Sequence, residues 1–174
     1  NYRSKREDTL KDLANKLAKF GESLKKHVRK NEWLSKGQEG WFNSYYDNDG
    51  NRLDNIEKKH IMLTGQVFQL YSKIPTYRQQ KKMIVAANRY LYRRENGGYC
   101  LNSDFKEVKM NMGRMFGFAY GTKENGAVFS HMAVMYAAGL YRNNHVKEGY
   151  KVIKFFHSQK QKITKHFTGR AQYI

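Results

Sequence analysis

Apolar residues along this chain recur at spacings of three and four, block after block, and a single proline, Pro75, interrupts them. That period belongs to one face of an α-helix, not to the alternation of a half-buried strand. Over residues 5–30, Leu10, Leu13, Ala14, Leu17, Leu24 and Val28 fall on one side and Lys and Arg fill the rest. Ser4 with Glu7 has the form of a capping box ahead of this first helix. Residues 60–74 repeat the pattern with Met62, Leu63, Val67, Leu70 and Ile74, and Pro75 stops it. Thr76 with Gln79 marks the next start, Met83, Ile84, Ala87, Tyr90 and Leu91 its buried side, and Asn96-Gly97-Gly98 its stop. Helix resumes near Ser130 and runs to about Arg142, with Val134, Ala138 and Tyr141 on one side. Asn143-Asn144 punctuates, and a last helix spans Val146 to about Gln159.

Two stretches break this rhythm. Residues 41–46, Trp-Phe-Asn-Ser-Tyr-Tyr, favour a strand, and Asp47-Asn48-Asp49-Gly50 is a strong turn signal. Arg52 to Ile56 can return as a second strand, which predicts a small β-hairpin inserted between helices. Residues 99–129 hold no sustained period, and a loop of that length in a compact domain is usually functional. The fold expectation is therefore mainly all-α, with helix pairs stacked in a superhelical or toroidal array. No Pro/Ser-rich linker divides residues 1–174, so they read as one domain or part of one.

Composition narrows the function. The chain is 40% hydrophobic and 14% aromatic, too apolar for intrinsic disorder. Its lone Cys100 excludes an internal disulfide and fits a reducing compartment. No apolar run reaches membrane-span length, and no apolar h-region follows the first residues, so the expected location is cytoplasmic. The net charge of +18 attracts polyanions, and a basic helical nucleic-acid-binding module is the alternative reading. Lys and Arg are nevertheless spread from Arg3 to Arg170 instead of forming a track, which favours a solvated surface.

The metal-binding candidates fail on spacing. Asp47-Asn48-Asp49-Gly50-Asn51 opens like a calcium loop, but the sixth and twelfth positions, which require Gly and Glu, hold Arg52 and Lys58. The scattered histidines and the single Cys100 offer no zinc pattern. The run from Gly113 to Gly121 matches neither phosphate-binding glycine motif, and its aromatics suit a core, a sugar ring or a base equally. The most informative stretch is Lys123-Glu124-Asn125-Gly126-Ala127-Val128-Phe129-Ser130-His131. A cation, a carboxylate and an amide precede a glycine, and an imidazole opens the next helix, where free N–H groups favour anions. A capped helix start with a surface ion pair explains the same residues.

Gly-Trp-Phe-x-x-Tyr-Tyr-Asp-Asn-Asp-Gly (40–50), Leu-Thr-Gly-Gln-Val-Phe (63–68) and Lys-Glu-Asn-Gly-Ala-Val-Phe-Ser-His (123–131) occur in the order found in glycoside hydrolase family 94. Over residues 33–158 the chain resembles that family of cellobiose, chitobiose and 1,2-β-oligoglucan phosphorylases and the phosphorylase-like part of cyclic β-1,2-glucan synthases. Leu101 to Gly121 looks closest to the 1,2-β-oligoglucan branch. The resemblance implies part of an (α/α)6 toroid, to be completed by the remainder of a parent polypeptide. It also implies phosphorolysis of a β-glucan or other β-linked oligosaccharide, with inorganic phosphate as co-substrate and no cofactor. Carried over by position, Lys123 and Glu124 hold hydroxyls of the transferred sugar, His131 orients the phosphate, and Gln66 lines the same cavity. The family's acid lies in an Asp-Trp-Asn-Asp-like segment that this sequence lacks, so no catalytic acid is expected here. Glu124 is a poor alternative acid, since the Lys123 cation beside it favours the ionised carboxylate.

Overall fold

The computed structural model describes residues 9–155. They are mainly helical, with α1 (Leu10–Asn31), α2 (Leu63–Tyr71), α3 (Tyr77–Tyr90), α4 (Ser130–Arg142) and a further helical stretch over 146–155. Two small antiparallel sheets accompany them, β1 (Trp33–Lys36) with β2 (Glu39–Phe42), and β3 (Tyr92–Arg93) with β4 (Gly98–Tyr99).

The helix starts follow local chemistry. Thr76 caps α3 and Gln79 returns the bond, as the sequence implies. The first helix begins later than expected, because Thr9 is the residue in extended geometry and closes a capping box with Asp12. The expected Ser4–Glu7 box lies outside the described residues. Helix α2 is shorter than residues 60–74, since His60 and Met62 are held extended by bridges to Asn55 and Asn102.

The hairpin is displaced from its predicted place. Trp33↔Phe42 and Lys36↔Glu39 pair around a turn at Gly37, whereas Tyr46↔Arg52 is an isolated bridge. Asp47 still forms the predicted turn, accepting the Asp49 and Asn51 backbone N–H groups at 3.0 and 2.7 Å. The strands formed one hairpin earlier because Trp41 and Phe42 bury completely there, and Trp41 Nε1–H reaches the His60 carbonyl at 3.0 Å. A second hairpin, absent from the sequence reading, turns where a helix stop was expected.

The core joins Trp41 and Phe42 to Leu63, Val67 and Leu70 of α2, Met83 and Ala87 of α3, and Tyr136 and Leu140 of α4. In α4 the buried side is Met132, Ala133, Tyr136, Ala137 and Leu140. Val134 and Tyr141, expected on the buried side, are 47% and 39% exposed. Helical spacing alone gives several overlapping stripes in so apolar a helix, and contact with α2 chooses among them. Helix α1 departs furthest from expectation, for it buries no residue. It is tied to the core at its C-terminal end by partly buried Val28 and by Arg29, whose Nε donates to the Ile74 carbonyl. Among the described residues nothing covers Leu10, Leu17 and Phe20, which are 87%, 62% and 67% exposed.

A buried carboxyl knits the loop between β2 and α2. Asp54 accepts from the Ser44 N–H at 2.7 Å and the Met62 N–H at 2.9 Å. Burial nevertheless pushes its carboxyl up to about 7. Between its unfolded value near 4 and this raised value, the folded chain holds a proton that the unfolded chain releases. This group's contribution is therefore fully present at acid pH and is lost as pH rises through about 7. Urea titrations across that window will show an Asp54-dependent decline in stability, and Asp54→Asn will flatten it. An unchanged slope in the variant would refute the assignment.

Candidate functional site

The stretch ahead of α4 is held by buried amides. Asn102, with no exposed surface, accepts the Gly126 N–H at 2.7 Å and donates to Asn125 Oδ1 at 3.0 Å. Asn125 donates to the Phe118 carbonyl at 2.8 Å, and its own carbonyl accepts the Gly121 N–H at 2.7 Å. Leu101 N–H reaches the Ala127 carbonyl, and Leu63 N–H reaches the Leu101 carbonyl. The segments 60–63, 100–103 and 125–127 are thereby laced together at the N-terminal end of α2.

Glycine is required at position 126. Its φ is +80°, and an added Cβ would lie 2.3 Å from the Tyr120 ring. Tyr120 in turn donates its hydroxyl to the Asn102 carbonyl at 3.2 Å, and burial pushes that hydroxyl up to about 12. Lys123 also adopts a left-handed backbone, with φ 46°, a conformation uncommon for a residue with a side chain.

This loop places Lys123 and Glu124 against the aromatic run. Lys123 Nζ sits 4.7 Å from the centre of the Phe118 ring, which the Arg114 guanidinium also approaches, at 5.4 Å. Arg114 pairs with Glu124 Oε1 at 3.2 Å, and the other carboxylate oxygen, Oε2, is buried without a hydrogen-bond partner. An unpaired buried carboxylate oxygen is costly unless a donor reaches it. Beside this cluster lies a cavity of about 270 Å³ whose lining combines Phe105, Phe118 and Tyr120 with the charged Asp104, Lys106 and Glu107.

The other two predicted site residues make no bond to this cluster. His131 is exposed in the first turn of α4, its ring 5.6 Å from that of Phe129. No hydrogen bond or ion pair ties it to Lys123 or Glu124. Gln66 is buried in α2, and its amide is fully engaged by backbone. It accepts the Phe42 N–H at 2.9 Å and donates to the Phe42 carbonyl at 2.9 Å and the Met62 carbonyl at 3.0 Å. Gln66 thus clamps β2 to the start of α2. Asn125 is the amide that the sequence places ahead of Gly126, whereas Arg114, Phe118 and Asn102 do not stand out from sequence as site residues. Arg114 and Phe118 lay inside the glycine and aromatic run, but nothing in spacing links them to a carboxylate ten residues on.

The cluster offers an aromatic face, two cations and a carboxylate oxygen lacking a donor, and an exposed imidazole stands separately at the start of α4. Such a set suits a polyhydroxylated ligand with an anionic group nearby. Among the described residues no three His, Cys, Asp or Glu side chains gather as a metal site.

The model of the Glycosyl hydrolase 94 superfamily catalytic domain matches residues 3–166. No curated protein matches the chain.

Gln66→Leu keeps the volume of the clamp and removes its bonds. The two buried backbone groups of Phe42 then lose their partner, at about 1–3 kcal/mol each, and the part-buried Met62 carbonyl loses one of its donors. Urea denaturation should show a loss of about 2 kcal/mol or more, and a loss under about 1 kcal/mol would contradict the clamp.

Proposed function

The chain belongs to the glycosyl hydrolase 94 superfamily, a family of glycoside phosphorylases acting on sugar and phosphate, and from that premise we propose the following reading. The chain supplies sugar- and phosphate-binding residues of an inverting phosphorylase that cleaves β-linked glucosides. The family's catalytic domain is an (α/α)6 toroid, of which the helix pairs described above form a portion.

In the reaction, a phosphate oxygen attacks the anomeric carbon from the face opposite the leaving group. The glycosidic C–O bond breaks, an acid protonates the leaving oxygen, and α-glucose 1-phosphate forms with inversion. Phosphate replaces the water that an inverting hydrolase must activate, so one carboxylic acid suffices. No residue of this chain is assigned that role. Glu124 is ion-paired with Arg114 and acts as an acceptor of hydroxyl protons, not as the acid. Lys123 donates to a second hydroxyl from beside the Phe118 ring. His131, near the free N–H groups of α4, orients the phosphate.

The observation that carries this reading is the unpartnered Glu124 Oε2, a buried acceptor within a cation and aromatic cluster. The excess positive charge adds a general attraction for phosphate.

In the protein carrying this chain, phosphorolysis can be followed by release of glucose 1-phosphate. Lys123→Ala and Glu124→Gln should each lower kcat/KM about 10- to 100-fold, the worth of one charge-assisted hydrogen bond. His131→Ala should raise the KM for phosphate while leaving the melting temperature unchanged, since the side chain is exposed. Phosphate dependence that survives His131→Ala intact would remove the imidazole from this role.

A further inference from the structure

Helix α1 joins the fold at one end only. Every residue from 10 to 20 is exposed, and contact with the core comes from partly buried Val28 and from Arg29 at the other end. We propose that the apolar side of α1 lies on an anionic lipid bilayer, as an interfacial helix that rests at headgroup level and does not span.

The stripe is continuous. Leu10, Leu13, Leu17, Phe20 and Leu24 follow one another at spacings of three and four, so they share one side of the helix, and the small Ala14 and Gly21 fill the same side. The five large side chains are between 47% and 87% exposed. The Thr9–Asp12 capping box fixes the helix start, and 22 residues give it a length of about 33 Å. A row of large apolar side chains held in water is unfavourable, and such a patch marks a surface that meets another apolar phase.

Charge chooses the occupant. The rest of the helix circumference carries seven Lys and Arg against Asp12 and Glu22, a net charge of +5. A second copy of α1 would bring the same positive charge against it. Segment 156–174 of this chain, with Lys160, Lys162, Lys165 and Arg170 and no Asp or Glu, would do so too. A nucleic acid would match the charge and leave the leucines in water. A bilayer with anionic headgroups supplies both needs, negative charge at its surface and acyl chains just beneath. Lys16 and Lys25 fall on the two borders of the stripe, where their stems can lie along apolar surface while the ammonium groups meet headgroup phosphates. Among the described residues no helix is long and apolar enough to cross a membrane, and α1, with its cations, belongs at the interface.

The test uses the protein carrying this chain, mixed with vesicles of phosphatidylcholine alone or of phosphatidylcholine with phosphatidylglycerol. Sedimentation with the mixed vesicles is expected, at least about tenfold stronger than with phosphatidylcholine alone and falling as salt is raised. Leu17→Glu and Phe20→Glu should each weaken it at least about tenfold with the melting temperature unchanged, and Val108→Glu, 71% exposed and outside α1, should leave it intact. In Phe20→Trp the indole emission should move to shorter wavelength on the mixed vesicles and be quenched by brominated lipid. Binding that survives Phe20→Glu, or an emission unmoved by lipid, would overturn the proposal. So would a fall in melting temperature or in oligomeric state with Phe20→Glu, since a protein surface, from another segment of the parent polypeptide or a second copy, would then be what covers the stripe.

Discussion

The buried carboxamide of Asn102 is the contact on which the rest of the site depends. Its oxygen takes the Gly126 N–H and its nitrogen gives to Asn125, deep enough that water cannot substitute. Both bonds fix backbone and side chain of one loop, and that loop carries Lys123 and Glu124. A buried amide with every group paired sets a single geometry, whereas a half-paired one is costly, so such networks specify position strongly. Ser103, next in sequence, adds bonds between its hydroxyl and the Ile61 N–H and Lys59 carbonyl, tying the same strand of chain to the start of α2.

Gln66 and Asp54 do related work on the opposite side. Gln66 serves both backbone groups of Phe42, and Asp54 receives N–H groups from Ser44 and Met62. Loop positions that would otherwise be free to vary are pinned by side chains at three buried points. The proposed binding residues Lys123 and Glu124 therefore lie on irregular backbone that rests on a rigid support, the usual division of labour between scaffold and loop. Gln66 is buried and its amide is bonded to Phe42 and Met62, which gives it a structural role as a clamp.

The charge distribution separates two kinds of surface. Arg114 and Lys123 are exposed, so their attraction to Glu124 is screened, while Glu124 Oε2 itself is buried and Phe118 lies under both cations. The cavity between the loop after β2 and the start of α2, walled by Met62, Met112 and Met115, has no formal charge in its lining.

How much of this was legible beforehand differs from element to element. Helix existence, the Thr76–Gln79 cap, the Ser130–Arg142 span and the long irregular loop follow from residue spacing and cap chemistry, which act over a few residues. The Lys-Glu-Asn-Gly stretch, with the motifs at 40–50 and 63–68, carries the resemblance to the family, whose model matches residues 3–166. The buried side of α4, the place of the first hairpin, the uncovered stripe of α1 and the structural use of Gln66 did not follow. Each is settled by which distant surface presses on the segment: α2 selects Tyr136 and Leu140 over Val134, and the His60 carbonyl captures Trp41. Local spacing lists the faces a helix can bury, and only packing between segments remote in sequence decides which face meets a partner and which polar groups find theirs.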